Sequence, residues 1–179
     1  MKRVWITGAS GSGKSTLARE LSEIVGAVCV DLDELYWRAN WQGAPEDEFL
    51  ESVERALSGP SWVVAGNHTR IQARFVPLAD TVLWLDYSLP VVVWRQVRRT
   101  LRRMRTQEPC CNGNFETFVR TFSRDSVQLW LLRTFNRRRR GGWNFKRRAR
   151  LSGTRFVHFR HPAQCEKWLE ATRQTERAR

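Results

Sequence analysis

With 179 residues and 41% hydrophobic content, the chain holds enough apolar material for one domain with a full core, and 31 Lys+Arg against 18 Asp+Glu give it a formal net charge of +13. No run approaches the roughly 18 apolar residues of a membrane span, and a predicted strand begins too early to leave room for a signal peptide. Cys29, Cys110, Cys111 and Cys165 form neither a C-x-x-C pair nor a disulfide framework. The expectation is a single cytoplasmic domain over residues 1–179 with free thiols.

The positive charge is concentrated. Residues 95–160 hold 19 Lys+Arg against 3 Asp+Glu, so the rest of the chain is slightly acidic. Such a segment is built for a polyanion, either several phosphates in a closed site or a nucleic acid backbone.

In chain order, Arg3 to Thr7 reads as a short buried strand. It runs into Gly8-Ala9-Ser10-Gly11-Ser12-Gly13-Lys14-Ser15, which fits G-x-x-x-x-G-K-[ST] at every defined position. The glycines let successive N–H groups converge on a phosphate, and the helix predicted over Lys14 to Val25 adds the positive end of its dipole. Lys14 is expected on the β- and γ-phosphates of ATP and Ser15 on Mg²⁺, with Thr16 completing the nucleotide-binding run. Leu17, Leu21 and Ile24 supply the helix's apolar face, and Gly26 ends it.

A second strand, Ala27 to Val30, leads to Asp31-Leu32-Asp33, where open α/β sheets gather their ligands. Alternation along an extended segment places both carboxylates on one side, Asp31 toward Mg²⁺ and Asp33 toward a substrate hydroxyl. The competing structural role is a helix N-cap. Trp37 and Trp41 flank an aromatic turn suited to packing. Pro45 through Leu57 reads as an amphipathic helix closed by Gly59-Pro60. The strand Trp62 to Ala65 ends at Gly66-Asn67-His68, polar groups facing the same crevice as Asp33.

Thr81 to Asp86 is a fourth strand, apolar enough to be buried on both faces, with Asp86 placed like a Walker B carboxylate. In the helix from Pro90, Trp94, Val97, Leu101 and Met104 form one stripe and Arg95, Arg98, Arg99, Arg102 and Arg103 the opposite one. A solvated face is the ordinary role of a charge run, but arginines without interleaved Glu repel one another and call for an anion. Arg95 and Arg99 are the catalytic candidates among them. Pro109 and Gly113 interrupt the pattern at 106–116, giving a mobile lid segment around 105–117. The next helix, from about Glu116 with Phe118 and Phe122, is expected to end at Gly141-Gly142. Basic residues Lys146 to Arg150, a fifth strand Arg155 to Phe159, a helix from Pro162 and a frayed tail beyond Thr172 complete the chain.

Alternating strands and helices predict an α/β fold, a parallel sheet with helices on both faces. With the phosphate loop, the Asp31/Asp33 pair and a lid after the fourth strand, the chain resembles the adenylate kinase-like P-loop kinases, which include shikimate and gluconate kinases. Asp31-Leu32-Asp33-Glu34-Leu35-Tyr36-Trp37, Asn40-Trp41, the Trp62 to Asn67 strand and Asn112-Gly113-Asn114 resemble most closely the bacterial DNA topology modulation proteins. The resemblance covers roughly residues 1–170. It implies a five-stranded sheet of order 2-3-1-4-5, ATP on the loop, an acceptor around Asp33 and Gly66, lid arginines closing over the phosphates, and adenine near Arg160 to Pro162. The chain departs from these relatives at Ala65, where Asp is the commoner residue, and at His68, where Tyr is expected. Its lid is shorter than the zinc-bearing lids of some adenylate kinases.

Together these readings point to an ATP- and Mg²⁺-dependent phosphotransferase, with Lys14, Asp33, Arg95 and Arg99 catalytic and Ser15, Asp31 and Asp86 around the metal. The acceptor, a nucleoside, a nucleotide or another small hydroxyl compound, meets Asp33, Gly66, Asn67 and His68. The alternatives are a nucleic-acid-binding ATPase that uses the basic segment, and a nucleotide binder without catalysis.

Overall fold

A computed structural model describes residues 1–115 and 127–178. Strands β1 (Arg3–Gly8), β2 (Val28–Asp31), β3 (Trp62–Ala65), β4 (Thr81–Leu85) and β5 (Arg155–Phe159) form one parallel sheet of order β2-β3-β1-β4-β5. That is the order the family resemblance implies. β1, β3 and β4 lie inside the sheet and are buried along almost their whole length, as their near-continuous apolar runs require. β2 is an edge strand, and it exposes Val28 and Cys29.

The helices are α1 (Lys14–Val25), α2 (Leu32–Tyr36), α3 (Glu46–Ala56), α4 (Thr69–Phe75), α5 (Leu89–Thr106), α6 (Val127–Ser152) and α7 (Pro162–Arg177). Alternation along the strands divides the core into two layers. Val4, Ile6, Val63, Leu83 and Leu85 face Leu17 and Leu21 of α1, Leu131 and Phe135 of α6, and Leu169 of α7. Trp5, Trp62, Val64 and Val82 face Phe49 and Val53 of α3 and Ile71 and Phe75 of α4. At the sheet's lower edge one carboxylate joins strand starts. The Asp80 side chain accepts from the N–H groups of Lys2 (2.8 Å) and Arg3 (2.9 Å), while its carbonyl accepts from Arg155 N–H at 3.0 Å.

Three expectations from the sequence are corrected. The apolar stripe of α5 does not face the core: its buried residues are Val92, Gln96 and Thr100, while Trp94 and Leu101 are 66% and 52% exposed. The cause is what α5 packs on. It lies against the phosphate loop, so closely that a Cβ on Gly11 would stand 2.5 Å from the Val92 carbonyl oxygen and 3.1 Å from Gln96 Cβ. A helix seated on a phosphate loop turns polar residues inward, and the five arginines accordingly divide: Arg95, Arg99 and Arg103 are partly buried, Arg98 and Arg102 exposed.

Second, Gly141-Gly142 does not end a helix; α6 passes through both to Ser152. Glycine inside a helix costs about 0.5–1 kcal/mol relative to alanine. At Gly142 the compensation is close approach, since a Cβ there would lie 2.2 Å from the indole ring of Trp84. Third, the terminal helix α7 continues to Arg177, held at its start by a capping box between His161 and Gln164. Glu116, Phe118 and Phe122 lie outside the described residues.

Candidate active site

The phosphate loop joins β1 to α1 at the carboxyl edge of the sheet, with Gly13 as the N-cap of α1. Lys14 Nζ donates to the Ala9 carbonyl at 3.0 Å, so the side chain folds back over the loop. Burial, with Arg138 and Arg99 nearby, pulls its pKa down to about 8 against the opposing pull of Asp33 and Asp31. A lysine so strained for charge is matched to an anion. Ser12 is buried inside the loop, while Ser15 and Thr16 stand exposed on the first turn of α1. Ser10 Oγ reaches the Gln96 side chain at 3.5 Å, tying the loop to α5.

Asp31 and Asp33 come together here, but not on an extended segment. Asp31 ends β2 and caps α2, accepting from Asp33 N–H at 3.0 Å, so the capping role belongs to Asp31 and leaves the Asp33 carboxylate free for other partners. Burial and the charge of Asp33 push the Asp31 carboxyl above its ordinary range despite the pull of the Ser15 hydroxyl. For Asp33 burial acts upward too, yet His68, Lys14 and Arg99 together hold it below that range. His68 Nε2 stands 3.7 Å from Asp33 Oδ1. The His68 ring is itself set between Tyr36 and Phe49, with centroids at 4.7 and 4.8 Å.

Asn67 has a different place. Its Oδ1 accepts from Thr7 Oγ1 at 2.8 Å and its Nδ2 donates to the Gly8 carbonyl, so it braces the entrance of the phosphate loop. Gly66 packs against Leu32, and its carbonyl accepts from Gln72 Nε2 at 3.2 Å. Arg95 lies over the Tyr87 ring at 5.6 Å and beside Gly13. Arg160 is exposed, its N–H donating to Gln164 Oε1 at 2.8 Å.

Asp86, expected near the metal, has both carboxylate oxygens engaged elsewhere. Oδ1 meets Arg139 Nε at 3.0 Å and Oδ2 meets His158 Nε2 at 3.0 Å. Ser15 and Asp31 therefore make the pair that fits Mg²⁺, an exposed hydroxyl beside a carboxylate at a strand end.

Arg138 is the site residue that sequence reasoning missed. It stands within electrostatic reach of Lys14 and Asp33, and burial lowers its pKa against the pull of Asp33. The run Arg137 to Arg140 was visible in the sequence, but which member comes within reach of Lys14 and Asp33 depends on the phase of α6. Beneath α6 lies a cavity of about 600 Å³, walled by Gly8 and Ala9 of the loop, Gln72 of α4, Trp84 of β4, and Arg138 and Phe145 of α6. That volume is typical of a small-molecule pocket. The 107–115 turn, within the described part (105–115) of the expected lid, is fastened to the α2 side: Asn112 Nδ2 donates to the carbonyls of Glu34 and Trp37 at 2.9 Å each, and Asn114 Oδ1 accepts from Trp41 N–H at 2.8 Å.

Solved structures of the same fold include a shikimate kinase from Acinetobacter baumannii in complex with shikimate, 19% identical over 98% of this chain and 92% of that one at a TM-score of 0.53. A gluconokinase from Sinorhizobium meliloti 1021 is 16% identical over 97% and 92%, at a TM-score of 0.52. No curated protein matches the sequence. These likenesses are of fold, shared with P-loop kinases, and the match over residues 3–109 makes the chain a member of the family described as AAA domain.

Proposed function

We propose that the chain is an ATP- and Mg²⁺-dependent phosphotransferase acting on a small hydroxyl or phosphate acceptor. One arrangement supports the reading: Lys14, Arg99 and Arg138, from three different helices, lie within electrostatic reach of Asp33, and Arg138 lines a cavity with Gly8 and Ala9 of the phosphate loop. Three cations around one carboxylate and a ring of loop N–H groups suit a charged group that passes between two oxygens, where positioning and charge neutralisation supply most of the rate.

ATP lies with its phosphates on the loop from Gly8 to Thr16. Mg²⁺, held by Ser15 and Asp31, supplies charge neutralisation on the phosphates when bound. Asp33, kept ionised by its neighbours, orients the acceptor and takes its proton as the acceptor oxygen bonds to the γ-phosphorus and the bond to the β,γ-bridging oxygen breaks, releasing ADP. His68 holds Asp33 in place. Lys14, Arg99 and Arg138 carry the charge that develops on the transferring group. The body of the acceptor extends into the cavity beneath α6. An acceptor screen with labelled ATP tests this directly; transfer to no small-molecule acceptor, with Mg²⁺ present, would sink it.

The outward face of α5 supports a second reading. Arg98 and Arg102 are exposed beside Trp94, and the helix contains no acidic residue. Such a face suits a nucleic acid backbone with an aromatic for stacking, in keeping with the resemblance to the DNA topology modulation proteins. In that reading ATP hydrolysis is a switch.

A further inference from the structure

We propose that Asp86 is a positioning residue, which by holding Arg139 fastens α6 across the carboxyl edge of the sheet and so presents Arg138 to the phosphoryl site. The proposal rests on the phosphotransferase reading. Asp86 follows the last residue of β4 and is 5% exposed. A carboxylate buried to that degree needs strong partners, and it has two: the Arg139 guanidinium and the His158 imidazole. His158 is fixed in turn by stacking on Trp84, with centroids 4.3 Å apart and rings 11° from parallel. With Nε2 facing a carboxylate, the ring donates its N–H there.

Three residues beyond Arg139, on the same side of α6, Gly142 rests on Trp84. The helix is therefore anchored twice to the end of one strand, by an ion pair and by a glycine that admits an indole. Two anchors fix both its height and its rotation. Arg138 precedes Arg139 and is turned from it by about 100°. Arg137, Arg138 and Arg139 all line the cavity with Gly8 and Ala9; with Arg139 committed to Asp86, Arg138 is the one of them within electrostatic reach of Lys14 and Asp33. A shift of the helix by one residue would put a different arginine there and leave Asp86 a buried charge without its guanidinium.

The test uses the full chain, Mg²⁺ and two probes: a non-hydrolysable ATP analogue for the ground state, and ADP with aluminium fluoride for the transferring phosphoryl group. Asp86→Asn and Arg139→Gln should weaken the aluminium fluoride complex about 10-fold or more while leaving ATP-analogue affinity within about 2-fold, because Arg138 acts on the transferring group. Combined with Arg138→Ala, Asp86→Asn should cost little further, since the residue it positions is already gone. Arg139→Lys keeps a cation and packing, so it should fold even if Asp86→Asn does not, and should show a smaller loss of the same kind. Equal losses of Asp86→Asn with and without Arg138 would overturn the proposal. So would a raised Mg²⁺ requirement for ATP-analogue binding, which would return Asp86 to the metal. Failure to find an acceptor would strike the phosphotransferase reading and leave these binding ratios interpretable.

Discussion

His68 Nε2 lies 3.7 Å from Asp33 Oδ1, bringing a residue of the loop that follows β3 to the carboxylate on the first turn of α2. Two neighbouring strands thus hand one residue each to the acceptor side of the site. Asp33→Asn preserves shape but removes the anion, and we expect transfer to fall by about 10²-fold or more with ATP affinity nearly unchanged. If ATP affinity collapsed while bound complex still turned over, Asp33 would belong to the metal and Asp31 to the acceptor.

Lys14→Ala should abolish transfer and weaken ATP binding, because no other loop residue supplies a side-chain cation. The lowered pKa adds a sharper expectation. At pH 8.5 the free Lys14 is mostly deprotonated, and bound phosphate raises its pKa again, so ATP binding should take up about three-quarters of a proton. Calorimetry in buffers of different ionisation enthalpy measures that number. Below about pH 7 the uptake should vanish, and Lys14→Ala should remove it at every pH.

The division of the arginines on α5 makes Ala substitutions unequal. Arg99→Ala should lower turnover most, since Arg99 is felt by both Lys14 and Asp33. Exposed Arg98 and Arg102 should leave turnover alone. If the outer face binds nucleic acid, each of those two should instead reduce the slope of log affinity against log salt by about 1. Uniform duplex DNA losses at all five positions, with turnover unchanged, would favour the second reading over the first.

Gly141 and Gly142 form a matched pair. A Cβ at Gly141 meets nothing within 4 Å, whereas one at Gly142 strikes the Trp84 ring. Gly141→Ala should raise stability by about 0.5–1 kcal/mol through helix propensity, and Gly142→Ala should lower it by about 1–3 kcal/mol through overpacking. Denaturant melts of the two variants read the difference, and equal effects would mean that α6 does not rest on Trp84.

The parallel sheet and the phosphate loop were legible because their signals are local: apolar runs of strand length, and a motif whose glycines and lysine need only the backbone around them. The inverted face of α5 was not. Its periodicity was read correctly, but Trp94 and Leu101 look inward only if the helix packs on apolar surface, and the loop beneath it is polar. Gly141-Gly142 misled for the same reason, since a glycine pair reads as a stop until the Trp84 ring that needs the space is known. The role of Arg138 among four consecutive arginines depends on helix phase, which contacts far along the chain decide.

The pairing of Thr81 with Arg155 has a consequence for the order of folding. Four strands of the sheet are complete by Leu85, while β5 joins only after the long excursion through α5 and α6, and closing so large a loop is entropically slow. The phosphate loop can therefore exist in a partly folded chain before Arg138 has been delivered to it. Pulse-labelling hydrogen exchange should find β1, β3 and β4 protected ahead of β5, with nucleotide binding competent early and phosphoryl transfer arriving last.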